Sequence, residues 1–405
     1  MKLHLSHPSS ICEGELQITG SKSETNRLLL LQALYPEIVI KNGSESDDSV
    51  AMRKALTSDS NLIDVHHAGT AMRFLTAYFA FQKGRNVVLT GSKRMQERPI
   101  KILVEALRSL GAKIEYQNLE GFPPLIIHGT DLHKNKVTLP AQVSSQYITA
   151  LMLIAPRLEN GLSITLEGKI TSMPYLKMTQ SLLESHGIEI SFEGQIIEIS
   201  PTQRVVSTAH SVESDWSSAS YFFSIVALAK KAKIELQSFK PDSIQGDAGL
   251  MKIYENLGVV SRIDGATLVL EKKTIQHTVP IELDLTSMPD IAQTIAVSCF
   301  GLGIPCTLFG LHTLKIKETD RLVALKEELS KVGAKIEVTE NSLHLSSGSN
   351  FIEGMSISTY NDHRMALAFA PLAIKTPLII EDSGVVSKSY PTYWEDLKTL
   401  QFEIH

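Results

Sequence analysis

Leu322 to Ile336 reads LVALKEELSKVGAKI, and this stretch sets the fold class. Leu322, Leu325, Leu329 and Val332 recur three and four residues apart, which is the spacing of one buried helix face. Gly333 then stops the pattern, and Lys335-Ile336-Glu337-Val338 alternates as a half-buried strand does. The same order appears in ILVEALRSLGAKI from Ile102, MTQSLLESHGIEI from Met178 and LMKIYENLGVV from Leu250. Gly111, Gly187, Gly258 and Gly333 fit the left-handed position that ends a helix. They recur at intervals of 76, 71 and 75 residues, too long for a solenoid repeat, so each copy is expected to be a small βα subdomain. Degenerate copies stand at both ends. SVAMRKAL from Ser49 leads to Leu62-Ile63-Asp64-Val65, and WEDLKTL from Trp394 leads to Phe402-Glu403-Ile404. Six units grouped as two domains of three is the expected α/β architecture. A boundary is expected near Val205 to Ser211, a stretch short in bulky side chains, with a new helix starting in 213–220.

Composition bounds the function. The 405 residues exceed one ordinary core. Hydrophobic content of 43% with 20% charged residues is that of a globular chain, and the formal net charge of −5 argues against nucleic acid as the main partner. Cys12, Cys299 and Cys306 form no disulfide framework and suit a reducing compartment. The start, Met1 to Pro8, has no apolar core of a signal peptide, and no apolar run reaches the length of a bilayer span. A cytoplasmic protein without a membrane partner is expected.

Three polar clusters run directly into apolar helical sequence. They are Lys317-Glu318-Thr319-Asp320-Arg321, Thr359 to Ala366 (TYNDHRMA), and Gly20 to Arg27 (GSKSETNR). Helix starts attract anions through free N–H groups, and added cations strengthen that. Any one cluster alone reads as a solvated helix start. Three together imply a small, multiply negative ligand.

These motifs, with AGTAMR from Ala68, RMQERPI from Arg94, Ser144-Ser145-Gln146, SDWSSASY from Ser214 and Met288-Pro289-Asp290, occur in an order that resembles the 5-enolpyruvylshikimate-3-phosphate synthase family nearly end to end. The resemblance implies two similar domains, each of three βα subdomains of the inside-out α/β barrel type, with an active-site cleft between them. On that analogy residues 20–212 form the first domain, and 1–19 with 213–405 the second. The implied reaction moves the enolpyruvyl group of phosphoenolpyruvate to the 5-hydroxyl of shikimate 3-phosphate, releasing phosphate on the way to chorismate, with no cofactor and no metal. Lys22, Arg98, Arg321, Arg364 and Lys388 would hold phosphoenolpyruvate, and Gly69 would let it approach the chain. Ser23, Arg27, Ser144, Ser145, Gln146, Ser172 and Lys317 would cradle shikimate 3-phosphate, with Tyr175 lining the pocket. Asp290 would be the base at the hydroxyl, and Glu318 would handle protons at the methylene carbon, with Lys22 or Lys388 sharing that work. A monomer is expected.

Each assignment has a plainer alternative. Asp290 follows a proline and suits a helix cap, Lys388 suits a solvated loop, and Ser144 suits an N-cap. His66-His67 near Asp64 lacks the remote ligands a metal site needs. Four positions depart from the family pattern: His67, Phe74, Met173 and Thr313, the last standing where an asparagine usually contacts shikimate 3-phosphate. His67 and Phe74 bear on glyphosate sensitivity more than on the reaction. Two rivals remain. One is the enolpyruvyl transferase acting on UDP-N-acetylglucosamine, whose usual loop cysteine is missing from Gly91 to Arg98. The other is a non-catalytic anion-binding homologue, which predicts loss of Asp290 or Glu318, and both are present.

Overall fold

In a computed structural model, which describes every residue except 143, 171, 275–278, 347, 349 and 350, the repeated sequence unit becomes a repeated sheet. The described strands form five four-stranded sheets and one two-stranded sheet. Every four-stranded sheet has one parallel step followed by two antiparallel steps. Leu62–Asp64 runs parallel to Asn86–Thr90, which is antiparallel to Leu125–His128, itself antiparallel to Lys113–Tyr116. Ile281–Asp284, Cys306–Phe309, Leu343–Leu345 and Ile336–Val338 repeat the pattern. The pair Val39–Lys41 and Ala209–Ser211 keeps only the parallel step. The architecture is mixed α/β, with six copies of one sheet design, one of them reduced.

Local chemistry explains the unit. In the helix Lys101–Leu110, Leu103, Val104, Leu107 and Leu110 are buried. Burial of a leucine side chain contributes roughly 1.5–3 kcal/mol, so this stripe suffices to hold the helix on its sheet. Gly111 ends it at φ 113°, and the N–H of Ala112 returns to the carbonyl of Leu107 at 3.0 Å. Lys113–Tyr116 then alternates, with Ile114 inward. Other helices are apolar on all sides. Tyr147 through Ile154, nearly all of Trp216–Leu228 and most of Ala292–Leu302 are buried, as expected of helices inside a core.

The chain folds as two compact units, Ser21–Val212 and Met1–Gly20 with Glu213–His405. Each has its own apolar core. Among the described residues no helix is long and apolar enough to cross a membrane.

The polar clusters sit at the edges of their helices. Lys317 and Glu318 lie outside the first turn, because the helix Arg321–Lys331 begins only after Asp320. Asp320 accepts from Leu322 N and Val323 N, both at 3.2 Å. Asp362 likewise accepts from Arg364 N at 2.9 Å, and Ser21 from Glu24 N at 3.4 Å. Capping side chains thus take one or two of the four free N–H groups at each of these helix starts.

Gly111→Ala should destabilise the protein by about 1–2 kcal/mol, because alanine resists positive φ. Urea unfolding measures this, and an unchanged midpoint would remove the geometric reason given for the glycine.

Candidate functional site

In the Ser21–Val212 unit the helix Lys22–Leu34 carries Lys22, Ser23 and Arg27 on its first two turns. Arg27 is buried, and its guanidinium donates to Thr179 Oγ1 at 2.8 Å, Ser23 O at 2.7 Å, Tyr175 O at 3.2 Å and Thr149 Oγ1 at 3.5 Å. All four acceptors are uncharged. Its guanidinium carbon also lies 5.8 Å from the Phe74 ring centre. Burial pushes the Arg27 pKa down to about 10, with Tyr175 and Glu24 opposing, so the group stays charged at neutral pH.

Gly69 opens the helix Gly69–Phe81 against Arg98. A Cβ there would stand 2.7 Å from Arg98 Nη1, so only glycine leaves the guanidinium where it is. Arg73 fastens the two segments together, donating to Gly69 O at 3.3 Å and Pro99 O at 3.2 Å. Its pKa also falls to about 10, through burial first and the charge of Arg98 second. Tyr147 donates to the same Pro99 carbonyl at 2.5 Å. Gln146 Nε2 donates to Thr70 Oγ1 at 3.2 Å. Ser144 caps the helix Ser145–Ile154, as the plainer alternative held. Ser172 precedes the helix Met173–Ser185 in a left-handed conformation, φ 55°, and its carbonyl accepts from Tyr175 N at 3.1 Å. Direct contacts therefore join Arg27 to Ser23 and Tyr175, Tyr175 to Ser172, and Gly69 to Arg98.

The other unit is built around Arg321, 2% exposed. Its Nε donates to Asp362 Oδ2 at 2.6 Å, Nη1 to Asp290 Oδ1 at 3.0 Å, and Nη2 to Glu318 Oε2 at 2.9 Å and Asp362 Oδ1 at 3.3 Å. Burial works against its charge, but Asp362, Glu318 and Asp290 outweigh that and raise an already high pKa. Asp290 also meets Lys317 Nζ at 3.5 Å and Arg364 Nη2 at 3.1 Å. The cap position of the helix Ala292–Leu302 is Ile291 and not Asp290, which lies within the short turn Pro289–Ile291. Lys388 Nζ donates to Asn361 O at 2.5 Å, next to Asp362. Thr313 Oγ1 is buried without a hydrogen-bond partner among the described residues.

Arg364 extends the network. Its Nη1 donates to Tyr221 OH and its Nη2 to Ser217 Oγ, each at 3.4 Å. The Ser217 hydroxyl in turn donates to Asp247 Oδ2. Burial pushes the Asp247 carboxyl up to about 6; Asp290 and Asp215 add to the shift, while Ser217 and Arg364 oppose it.

Sequence reasoning missed Thr149, Thr179, Arg73 and Asp247. Thr179 stands one helical turn after Tyr175, a detectable signal. Asp247 carried none, since it meets Ser217 across 30 residues of chain. Of the two adjacent histidines, His66 takes Asp64 Oδ1 on its backbone N–H at 2.7 Å, and His67 Nε2 lies 3.3 Å from Asp47.

A family model described as EPSP synthase (3-phosphoshikimate 1-carboxyvinyltransferase) matches residues 48–397. A 3-phosphoshikimate 1-carboxyvinyltransferase from Bacteroides fragilis is 45% identical over 410 residues, spanning 100% of this chain and 99% of the relative. One from Photorhabdus laumondii is 36% identical, with 97% of each chain covered. Among solved structures, EPSP synthase from Acinetobacter baumannii superposes with a TM-score of 0.79 at 21% identity, over 100% of this chain and 99% of that one. The enolpyruvyl transferase NikO from Streptomyces tendae gives 0.77 at 13% identity, over 100% and 98%. At those identities the structures speak for the fold alone.

Two predictions follow from the charges. Arg321→Ala leaves three carboxylates facing one another, so it should cost about 3–5 kcal/mol of stability, the range for breaking a buried ion pair. Thermal unfolding tests this, and a loss below about 1 kcal/mol would mean the carboxylates separate freely. Asp247 has a folded pKa above its unfolded one. Its contribution to stability is thus full below about pH 4 and lost as pH rises through about 6. Asp247→Asn should therefore stabilise by about 2–3 kcal/mol at pH 8, with the gain vanishing toward pH 4. A gain independent of pH would contradict the burial argument.

Proposed function

The chain belongs to the EPSP synthase (3-phosphoshikimate 1-carboxyvinyltransferase) family, and from that premise we propose that it transfers the enolpyruvyl group of phosphoenolpyruvate to the 5-hydroxyl of shikimate 3-phosphate. The observation that carries the mechanism is Asp290 and Glu318 on one guanidinium, at 3.0 and 2.9 Å from Arg321. Addition needs a base at the hydroxyl and an acid at the methylene carbon; elimination of phosphate needs that carbon to lose a proton again. Asp290 takes the first role. Glu318 protonates the methylene carbon and later removes a proton from it, with Lys22 or Lys388 sharing the work. The hydroxyl oxygen bonds to the central carbon of the enol, and the bridging C–O bond to phosphate breaks in the second step.

Lys22, Arg98, Arg321, Arg364 and Lys388 hold phosphoenolpyruvate in this scheme. Arg321 both orients the two acid–base groups and offers charge when a ligand anion replaces one of their oxygens. Ser23, Arg27, Ser144, Ser145, Gln146, Ser172 and Lys317 take shikimate 3-phosphate, with Tyr175 beside it. Arg27, whose hydrogen-bond acceptors among the described residues are neutral oxygens, keeps its positive charge for a phosphate or carboxylate. The unsatisfied Thr313 hydroxyl suits a further hydrogen bond to the same ligand. No step uses a metal or organic cofactor. We also assign a cytoplasmic, monomeric enzyme that takes neither nucleic acid nor membrane as partner. The alternative acceptor, UDP-N-acetylglucosamine, is not favoured, since the family match and relatives point elsewhere.

Phosphate release should require both phosphoenolpyruvate and shikimate 3-phosphate and should survive excess chelator. Release with UDP-N-acetylglucosamine in place of shikimate 3-phosphate would overturn the assignment. Gly69→Ala should displace the Arg98 guanidinium and raise the KM for phosphoenolpyruvate roughly tenfold, the effect of losing one charged hydrogen bond. An unchanged KM would show that Arg98 does not bind that substrate.

A further inference from the structure

Asp247 belongs to the turn Gly246–Gly249, which leads into the helix Leu250–Glu255. It is 6% exposed. Its carboxylate receives the hydroxyl of Ser217, the second residue of the helix Trp216–Leu228. That same Oγ accepts Arg364 Nη2, which also meets Asp290 Oδ2. The result is a chain of polar contacts, Asp247 to Ser217 to Arg364 to Asp290, inside one unit. Neither Asp247 nor Ser217 has a role in the reaction as assigned above.

We propose that Asp247 is a positioning residue for phosphoenolpyruvate binding, acting through Ser217 on the guanidinium of Arg364. A serine hydroxyl has one proton. Given to Asp247, it leaves only lone pairs facing Arg364, so Ser217 becomes a fixed acceptor. The Arg364 fork is then held at Nη2 by Ser217 and at Nη1 by Tyr221, on one helix. Weakening the Ser217 contact would shift the guanidinium further toward Asp290, which it already meets at 3.1 Å, engaging the base and withdrawing the cation from the ligand together. Packing alone does not call for a carboxylate here. What the proposed role needs at this position is a buried acceptor for the Ser217 proton, and buried carboxyls beside an arginine cluster concentrate at functional sites.

The inference rests on the functional reading above, and the test separates the two. Steady-state constants are measured for Asp247→Ala, Ser217→Ala, the double variant and Asp247→Asn, with folding checked by circular dichroism. Either alanine should raise the KM for phosphoenolpyruvate roughly tenfold and leave the KM for shikimate 3-phosphate within about twofold. The double variant should be no worse than the single ones, because both cut the same chain. Asp247→Asn keeps an acceptor oxygen for Ser217 and should recover most of the loss. Losses that multiply, or a fall in kcat with KM unchanged, would overturn the proposal. If Asp247→Ala does not fold, Ser217→Ala and Asp247→Asn still decide it through the same KM comparison. A wild type that releases no phosphate fails the functional reading instead. Calorimetric titration with phosphoenolpyruvate then tests the positioning role alone, and equal affinity in wild type and Ser217→Ala would refute it.

Discussion

A buried guanidinium shared by three carboxylates is the constraint on which the rest of this molecule's polar chemistry depends. Arg321 is the first residue of its helix, and Asp362, Asp290 and Glu318 converge on it from three different segments. One positive charge cannot neutralise three negative ones, so the cluster needs further cations. Lys317 and Arg364 supply them, both on Asp290. Removing charge from water is expensive, and the pairing recovers that only where the geometry is good and the remaining oxygens are satisfied. The arrangement thus fixes where two potential acid–base groups sit relative to one another.

The Ser21–Val212 unit handles cations in the opposite manner. Arg27 and Arg73 are as deeply buried, yet their guanidinium contacts run to hydroxyls, backbone carbonyls and the Met95 sulfur. Neutral acceptors satisfy the N–H groups without cancelling the charge. A buried cation treated this way keeps a strong field for an anion, whereas Arg321 has spent most of its field on internal partners. Buried cations thus meet neutral acceptors in one unit, while in the other Arg321 is paired with carboxylates. Both suit a reaction between two phosphorylated acids.

Much of the fold was legible because its signal is local. A helix face repeats every three to four residues, and a glycine at positive φ marks its end; Gly111, Gly187, Gly258 and Gly333 all adopt positive φ. The sheet pattern was not legible. Whether Ile281–Asp284 pairs with Cys306–Phe309 or with some other strand depends on partners far along the chain. The N-terminal strand Leu3–Ser6 sits between Leu378–Ile380 and Glu403–Ile404, a pairing that no local pattern announces.

The sequence by itself determined the α/β class, the sixfold repeat, the family and the residue types available for binding anions, since each follows from order and spacing along the chain. Only the tertiary structure decided how those residues are used. It placed Asp290 among Arg321, Lys317 and Arg364, capped helix N-termini with Asp320 and Asp362, and gave Arg27 uncharged oxygen acceptors. It also joined Asp247 to Arg364 through one hydroxyl. The physical reason is that charge compensation and hydrogen bonding act over a few ångströms in space, across any separation in sequence. A chain written in one dimension records the groups but not their neighbours.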